Sequence, residues 1–259
     1  MKSGITPSVW VTRAVPGNAA TAGALSAAGL DVIAAPVLVT RSLVGAPLPA
    51  GDLPDWVVFV SANAVRGFEE ALAGAGAAAV RSRARAAAVG RRTAQCAEDS
   101  GWRVEALPGE EDAEGLLRAL LAFELRGRRM WIPSGNREGS ATRALPEALA
   151  GRGALVSVVP VYETVDRPLT PPELRRLAEA VPGVVVFHSP SAVEAVFSPV
   201  AADPVLRWRE SAVALAIGPA TFRRLGELGA RRMAQCREPS DAEVVVVVTA
   251  QEPFRSQGA

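Results

Sequence analysis

The sequence predicts an α/β chain of two doubly wound units, each a parallel sheet covered by helices on both faces. Three observations predict it. Short, near-continuous apolar runs alternate with stretches rich in alanine, leucine and arginine, the pattern of a sheet buried on both sides. The chain has 259 residues, room for two modest domains at roughly 150 residues each. It also repeats itself. Val57–Val65 resembles Val185–Val193, Val89–Thr93 resembles Ile217–Thr221, and Gly101 matches Gly229, each pair 128 residues apart.

The elements follow in order. In the first repeat the apolar runs place strands at Val9–Thr12, Val32–Ala35, Val57–Val60, Ala86–Val89 and Val104–Ala106. Helices fall near Asn18–Ala28, Ala64–Ala73, Thr93–Ser100 and Ala113–Phe123. A looser match sets Val9–Arg13 against Met130–Pro133, each leading into a helical stretch. Ser42–Asp55 and Val165–Pro172 read as connectors. Val244–Val248 is strand by composition, yet it follows a capping pattern from Ser240 to Glu243, so helix competes equally. The arginine runs at 81–85 and 126–129 read as solvated faces, and Phe254–Ala259 as a frayed tail.

Composition excludes several classes. Hydrophobic residues are 49% and charged residues 21%, enough to bury a core and to rule out wholesale disorder. Basic residues number 28 and acidic ones 27, so no single-sign field drives nucleic-acid binding. Lys2 is the sole lysine, and this arginine and alanine usage reads first as genomic bias. Cys96 and Cys236 form no C-x-x-C and His188 is the only histidine, so neither a disulfide framework nor a multi-histidine metal site is expected. No signal-peptide pattern opens the chain and no apolar run reaches about 18 residues, so a cytoplasmic location away from the membrane is expected. No G-x-G-x-x-G or P-loop pattern supports dinucleotide or nucleoside triphosphate binding.

Four turns share one design, in which a strand ends, a small residue follows and a helix begins. They start at Ser61, Gly90, Ser189 and Gly218. Helix N-termini present unpaired N–H groups and partial positive charge, so they suit anions, although each turn alone also reads as an ordinary cap. Thr93 and Thr221, three residues after their glycines, either offer hydroxyls at the helix start or bond their own helix. Tyr162, the only tyrosine, either donates a hydrogen bond as a neutral phenol or fills an interface. His188 at a strand end reads as a histidine satisfied by backbone rather than as a base, because spacing signals no acidic partner.

Together these pieces resemble the uroporphyrinogen-III synthase family. The resemblance rests on Val11–Arg13, Phe59–Val65, Val89–Thr93, Val161–Thr164, Phe187–Val193 and Ile217–Thr221, spread over nearly the whole chain. It implies two α/β lobes joined by a two-stranded connector. The first lobe would be discontinuous, at 1–36 and 166–259, with the second at 41–159 and connector strands at 37–40 and 160–165. The implied reaction closes hydroxymethylbilane, a linear tetrapyrrole, to uroporphyrinogen III with inversion of ring D, without cofactor or metal. Tyr162 would assist loss of the hydroxyl group. Arg13, Ser61, Asn63, Gly90, Thr93, Ser189, Ser191, Gly218 and Thr221 match cleft-lining, substrate-binding positions. Ser134 stands where the family often has an arginine, so Arg137 or Arg143 would substitute, and His188 replaces a smaller residue. The expected protein is a monomer that takes its substrate from hydroxymethylbilane synthase and has no nucleic-acid or membrane partner. The competing reading is a non-catalytic, two-lobed tetrapyrrole-binding or regulatory protein.

Overall fold

A computed structural model describes residues 8–15, 17–72, 76–137, 139–197, 208 and 211–250. The expected tail at Phe254–Ala259 lies outside them. In chain order the elements are β1 (Val9–Val11), α1 (Asn18–Ala27), β2 (Val32–Ala34), β3 (Leu38–Ser42), β4 (Trp56–Phe59), α2 (Ala62–Ala71), α3 (Ala77–Arg83), β5 (Arg85–Ala88), α4 (Arg91–Asp99), β6 (Val104–Ala106) and α5 (Ala113–Leu120). They continue with β7 (Arg129–Gly135), α6 (Ser140–Ala150), β8 (Leu155–Asp166), α7 (Pro171–Ala180), β9 (Val184–Phe187), α8 (Pro190–Phe197), β10 (Val213–Ala216), α9 (Pro219–Glu227), β11 (Met233–Gln235) and α10 (Asp241–Thr249). No helix among the described residues is long and apolar enough to cross a membrane.

The chain divides into two compact units. One runs to Val39 and resumes at Val165, and the other is Thr40–Thr164. The chain leaves the first unit within β3 and returns within β8, and these two strands are neighbours in one sheet. Their pairing is antiparallel, because Thr40 faces Thr164 through their hydroxyls while the Leu43 N–H reaches the Val161 carbonyl.

The first unit holds a five-stranded sheet in the order β11-β10-β9-β1-β2, with every pair parallel. Alternate residues of a strand point to opposite faces. Val9, Val11, Val184, Val186 and Leu215 therefore meet Leu25 of α1 and Val244 and Val248 of α10 on one face. Trp10, Val185, Phe187 and Ala214 meet Leu177, Val193 and Leu225 of α7, α8 and α9 on the other. The Trp10 indole donates to the Ala35 carbonyl at 2.8 Å, so its one polar atom is satisfied inside this core.

The second unit repeats the order as β3-β8-β7-β4-β5-β6. β4 and β9 begin 128 residues apart, as do β5 and β10, so the offset read from the sequence is a structural offset. β7 and β8 take the places of β1 and β2, although they follow β4–β6 in the chain whereas β1 and β2 precede their partners. The core centres on Phe68 of α2, fully buried among Phe59, Trp102 and Trp131 at ring distances of 6.1, 5.9 and 6.2 Å. Phe68→Ala should cost about 3–5 kcal/mol, read as a lower denaturant midpoint. A loss under about 1 kcal/mol would show a core that closes over the cavity.

Some sequence expectations change. Val244–Val248 is helical: the Ser240 hydroxyl caps the Glu243 N–H at 3.1 Å, and Val244 and Val248, one turn apart, are the residues that bury. The arginine runs do more than meet solvent. Arg81 binds Glu69 at 2.6 Å, Arg83 and Arg128 both approach Asp55 at 3.8 Å, and Arg85 lies over the Trp56 ring. Cys96 and Cys236 are both free thiols. Burial, reinforced by the nearby Glu243 charge, pushes the Cys236 thiol up to about 11, so it is inert near neutral pH.

Candidate functional site

In a parallel sheet every strand ends at the same edge. Ligands collect there at the point where chain connections leave neighbouring strands in opposite directions. In the second unit that point lies between β4 and β7, and in the first between β1 and β9.

At the second unit's switch point, β4 ends and Ser61 caps α2, its hydroxyl accepting the Ala64 N–H at 3.0 Å. On the far side of β7, β8 carries Tyr162, which is 9% exposed and so nearly enclosed. The Tyr162 hydroxyl lies 3.4 Å from the Ser61 hydroxyl. β7 and β8 lose register here: Ser134 pairs with Pro160, but Gly135 pairs with Tyr162. Pro160 has no N–H to give the ladder, and the resulting bulge turns the phenol across Gly135. The residues after β7 brace β8 from the same end. Asn136 accepts the Thr164 N–H at 2.7 Å and donates to the Thr164 carbonyl at 3.2 Å. Arg137 follows in an exposed turn and Arg143 sits exposed on α6, while Ser134 is buried within β7.

The other three turn residues of this unit differ. Asn63 sits in the first turn of α2 with its amide oxygen taken by Arg66 at 2.6 Å. Gly90 caps α4, and a Cβ added there would fall 2.3 Å from Glu111 Oε2, so a carboxylate of the chain itself already lies against this turn. Thr93 is buried.

The first unit repeats the design at its own edge. Ser189 accepts the Ala192 N–H at 3.2 Å, the counterpart of Ser61 and Ala64 at the same offset. Ser191 follows within α8 and is half-buried. Gly218 caps α9 with open space where a side chain would stand, and Thr221 is buried like Thr93.

Here the structure also assembles a cluster that spacing did not signal. Arg13, just past β1, donates to both oxygens of Asp241 at 3.0 Å and to the Thr21 hydroxyl at 2.8 Å. Thr21 donates to Asp241 at 2.7 Å. His188 Nε2 lies 3.4 Å from both Asp241 and Thr21. His188 thus has an acidic partner, contrary to the expectation of backbone contacts. Arg13 reaches a carboxylate of its own chain, so any substrate carboxylate would share it. The hydrogen bond facing His188, then that from Thr21 and the Arg13 charge, outweigh burial and hold the Asp241 carboxyl well below the usual range.

Asp241, Thr21, Gly135 and Glu111 were not among the expected site residues. In the sequence Asp241 stands out as part of a capping pattern and of an acidic patch that matches Asp112–Glu114 in the other repeat. Its partner Arg13 lies 228 residues away, a separation that no spacing rule bridges.

The fold and the two edges define a duplicated α/β protein, with capped helix N-termini at each switch point and one phenol set against a capping serine. A family model described as uroporphyrinogen-III synthase HemD matches residues 19–245. A uroporphyrinogen-III synthase from Synechococcus elongatus is 30% identical over 246 residues, covering 89% of each chain. The chain belongs to the uroporphyrinogen-III synthase family. The uroporphyrinogen-III synthetase structure from Helicobacter pylori has the same fold at 19% identity, with TM-score 0.66 over 96% of this chain and 100% of that one. A mutant uroporphyrinogen III synthase from Thermus thermophilus aligns at 22% identity and TM-score 0.59, over 95% and 100%.

Proposed function

We propose that this chain closes hydroxymethylbilane to uroporphyrinogen III with inversion of ring D, acting as a monomer in the cytoplasm on substrate delivered by hydroxymethylbilane synthase. The observation that carries the reading is Tyr162, a nearly buried residue whose hydroxyl lies 3.4 Å from that of the serine that caps α2. A neutral phenol next to a positive helix end can give a hydrogen bond to a departing hydroxyl without ionising. The C–O bond breaks as the pyrrole nitrogen supplies electrons to the carbon left behind; that pyrrole gives up its N–H proton, so the hydroxyl leaves as water with no net change at the phenol. The substituted carbon of ring D supplies the electron pair that bonds to this carbon, giving a spiro intermediate. Its bond to the old bridging carbon then breaks, and the free α-carbon of ring D bonds to that bridge and loses its proton, which leaves the ring inverted.

Without catalysis the same substrate closes uninverted, so the protein's task is mainly to hold one bent geometry. The substrate is a polycarboxylate. The N-termini at Ser61, Ser189 and Gly218 suit its carboxylates, that at Gly90 would be shared with Glu111, and Arg137 offers an exposed guanidinium two residues past β7. Asn63, Ser191, Thr93 and Thr221 would shape those turns, the two threonines from their buried side. Arg13 would act mainly through Asp241.

The test is to generate hydroxymethylbilane in place from porphobilinogen, add the purified protein, oxidise, and separate the porphyrin isomers. Isomer III is expected. Isomer I alone would overturn the proposal, and tetrapyrrole binding without turnover would establish the non-catalytic reading in its place.

A further inference from the structure

We infer that Gly135 is the residue that positions the Tyr162 phenol, an inference that rests on the reading of Tyr162 as the reacting group. β8 is approached by bare backbone from two sides at this point. A Cβ on Gly67 of α2 would lie 2.6 Å from the Val161 carbonyl oxygen, so glycine is what lets α2 close on β8. A Cβ on Gly135 would lie 2.4 Å from both Cε2 and Cζ of Tyr162, and 2.9 Å from its hydroxyl oxygen. The two contacts differ in kind. Gly67 meets main chain, which can yield only by moving the helix. Gly135 meets the reacting ring itself, at the end that carries the hydroxyl.

The bulge and the glycine work together. The register shift brings Tyr162 opposite Gly135 instead of Val161, and the absence of a side chain there leaves the ring its room against β7. Ser61 is held independently as the cap of α2. The separation of the two hydroxyls is therefore set by where Gly135 allows the ring to rest. Any side chain at 135 must push the phenol off that seat, while the fold around it can stay unchanged because an aromatic ring rotates more cheaply than a strand moves.

The test is a double-mutant cycle between Gly135→Ala and Tyr162→Phe in the full chain, with isomer III formation resolved into kcat and KM and folding checked by thermal unfolding. Tyr162 is the chain's only tyrosine, so ring-labelled tyrosine gives a single set of resonances that reports the phenol's surroundings directly. Gly135→Ala should shift those resonances and lower kcat about ten- to a hundred-fold, the scale of a displacement of about 1 Å, with KM nearly unchanged. In the Tyr162→Phe background it should cause little further loss, because the hydroxyl it displaces is already gone.

Equal losses in both backgrounds, or unmoved resonances, would overturn the inference and leave Gly135 a structural residue. Unchanged turnover in Tyr162→Phe alone would instead overturn the role of the phenol, and the inference with it. Loss in Tyr162→Phe but none in Gly135→Ala would defeat the role of Gly135 and leave the phenol's role standing.

Discussion

Tyr162→Phe should lower kcat for isomer III by about a hundred-fold, the lower range for a lost transition-state hydrogen-bond donor, with little change in KM. The hydroxyl is the only atom removed, so carboxylate binding at the helix N-termini stays intact. Loss should be incomplete, because hydroxymethylbilane expels its hydroxyl unaided and the bent geometry is still imposed. Stability should change by no more than about 1 kcal/mol, since the ring keeps its packing and the Ser61 hydroxyl keeps its bond to the Ala64 N–H. Steady-state turnover alongside thermal unfolding checks both parts. An unchanged kcat would remove the phenol from the chemistry.

Asp241→Asn should be the most damaging single change at the first unit's edge. The carboxylate joins Arg13, Thr21 and His188, which come from three separate segments of the chain. The amide leaves the Arg13 guanidinium, whose side chain is 15% exposed, without its counter-charge. The expected cost is about 1–3 kcal/mol at pH 7, held to that range because Asp241 keeps some solvent contact. The sign with pH follows from the lowered Asp241 pKa. Its stabilisation is complete above the unfolded value of about 3.9 and is lost as pH falls below that toward the folded value. The gap in denaturant midpoint between wild type and variant should therefore be full at pH 7 and narrow in acid. A gap that stayed constant down to about pH 3 would show that the Asp241 charge is not what holds the edge.

Much of the architecture was legible because it is local. Val104–Ala106 reads as strand from composition and is β6 to the residue, and α1 starts at Asn18 as its flanking residues imply. The repeat was legible because whole strand–turn–helix units recur at one offset. β8 was harder: Pro160 breaks its pattern, yet the strand runs twelve residues. It tolerates the proline because the ladder shifts register there. The candidate site was legible where it is built from local caps, as at Ser61 and Ser189. It was not where distant segments converge. No pattern links Arg13 to Asp241, and none shows that Gly135 faces a ring in the next strand. Val244–Val248 was undecidable by composition, since a run of five valines fits strand and buried helix alike; the Ser240 cap decided it.

The interrupted first unit has a consequence for how the chain emerges from the ribosome. β1, a fully buried Val-Trp-Val segment, is made first, but its neighbour β9 begins only at Val184. At ~5–20 residues per second, that delay is roughly 10 to 35 s. Throughout it the nascent chain carries an apolar strand that has β2 on one side and lacks β9 on the other, while the second unit is completed at Thr164, before β9 is made. Early protection of that N-terminal segment by a chaperone would then govern yield in the cell more than the stability of the final fold does.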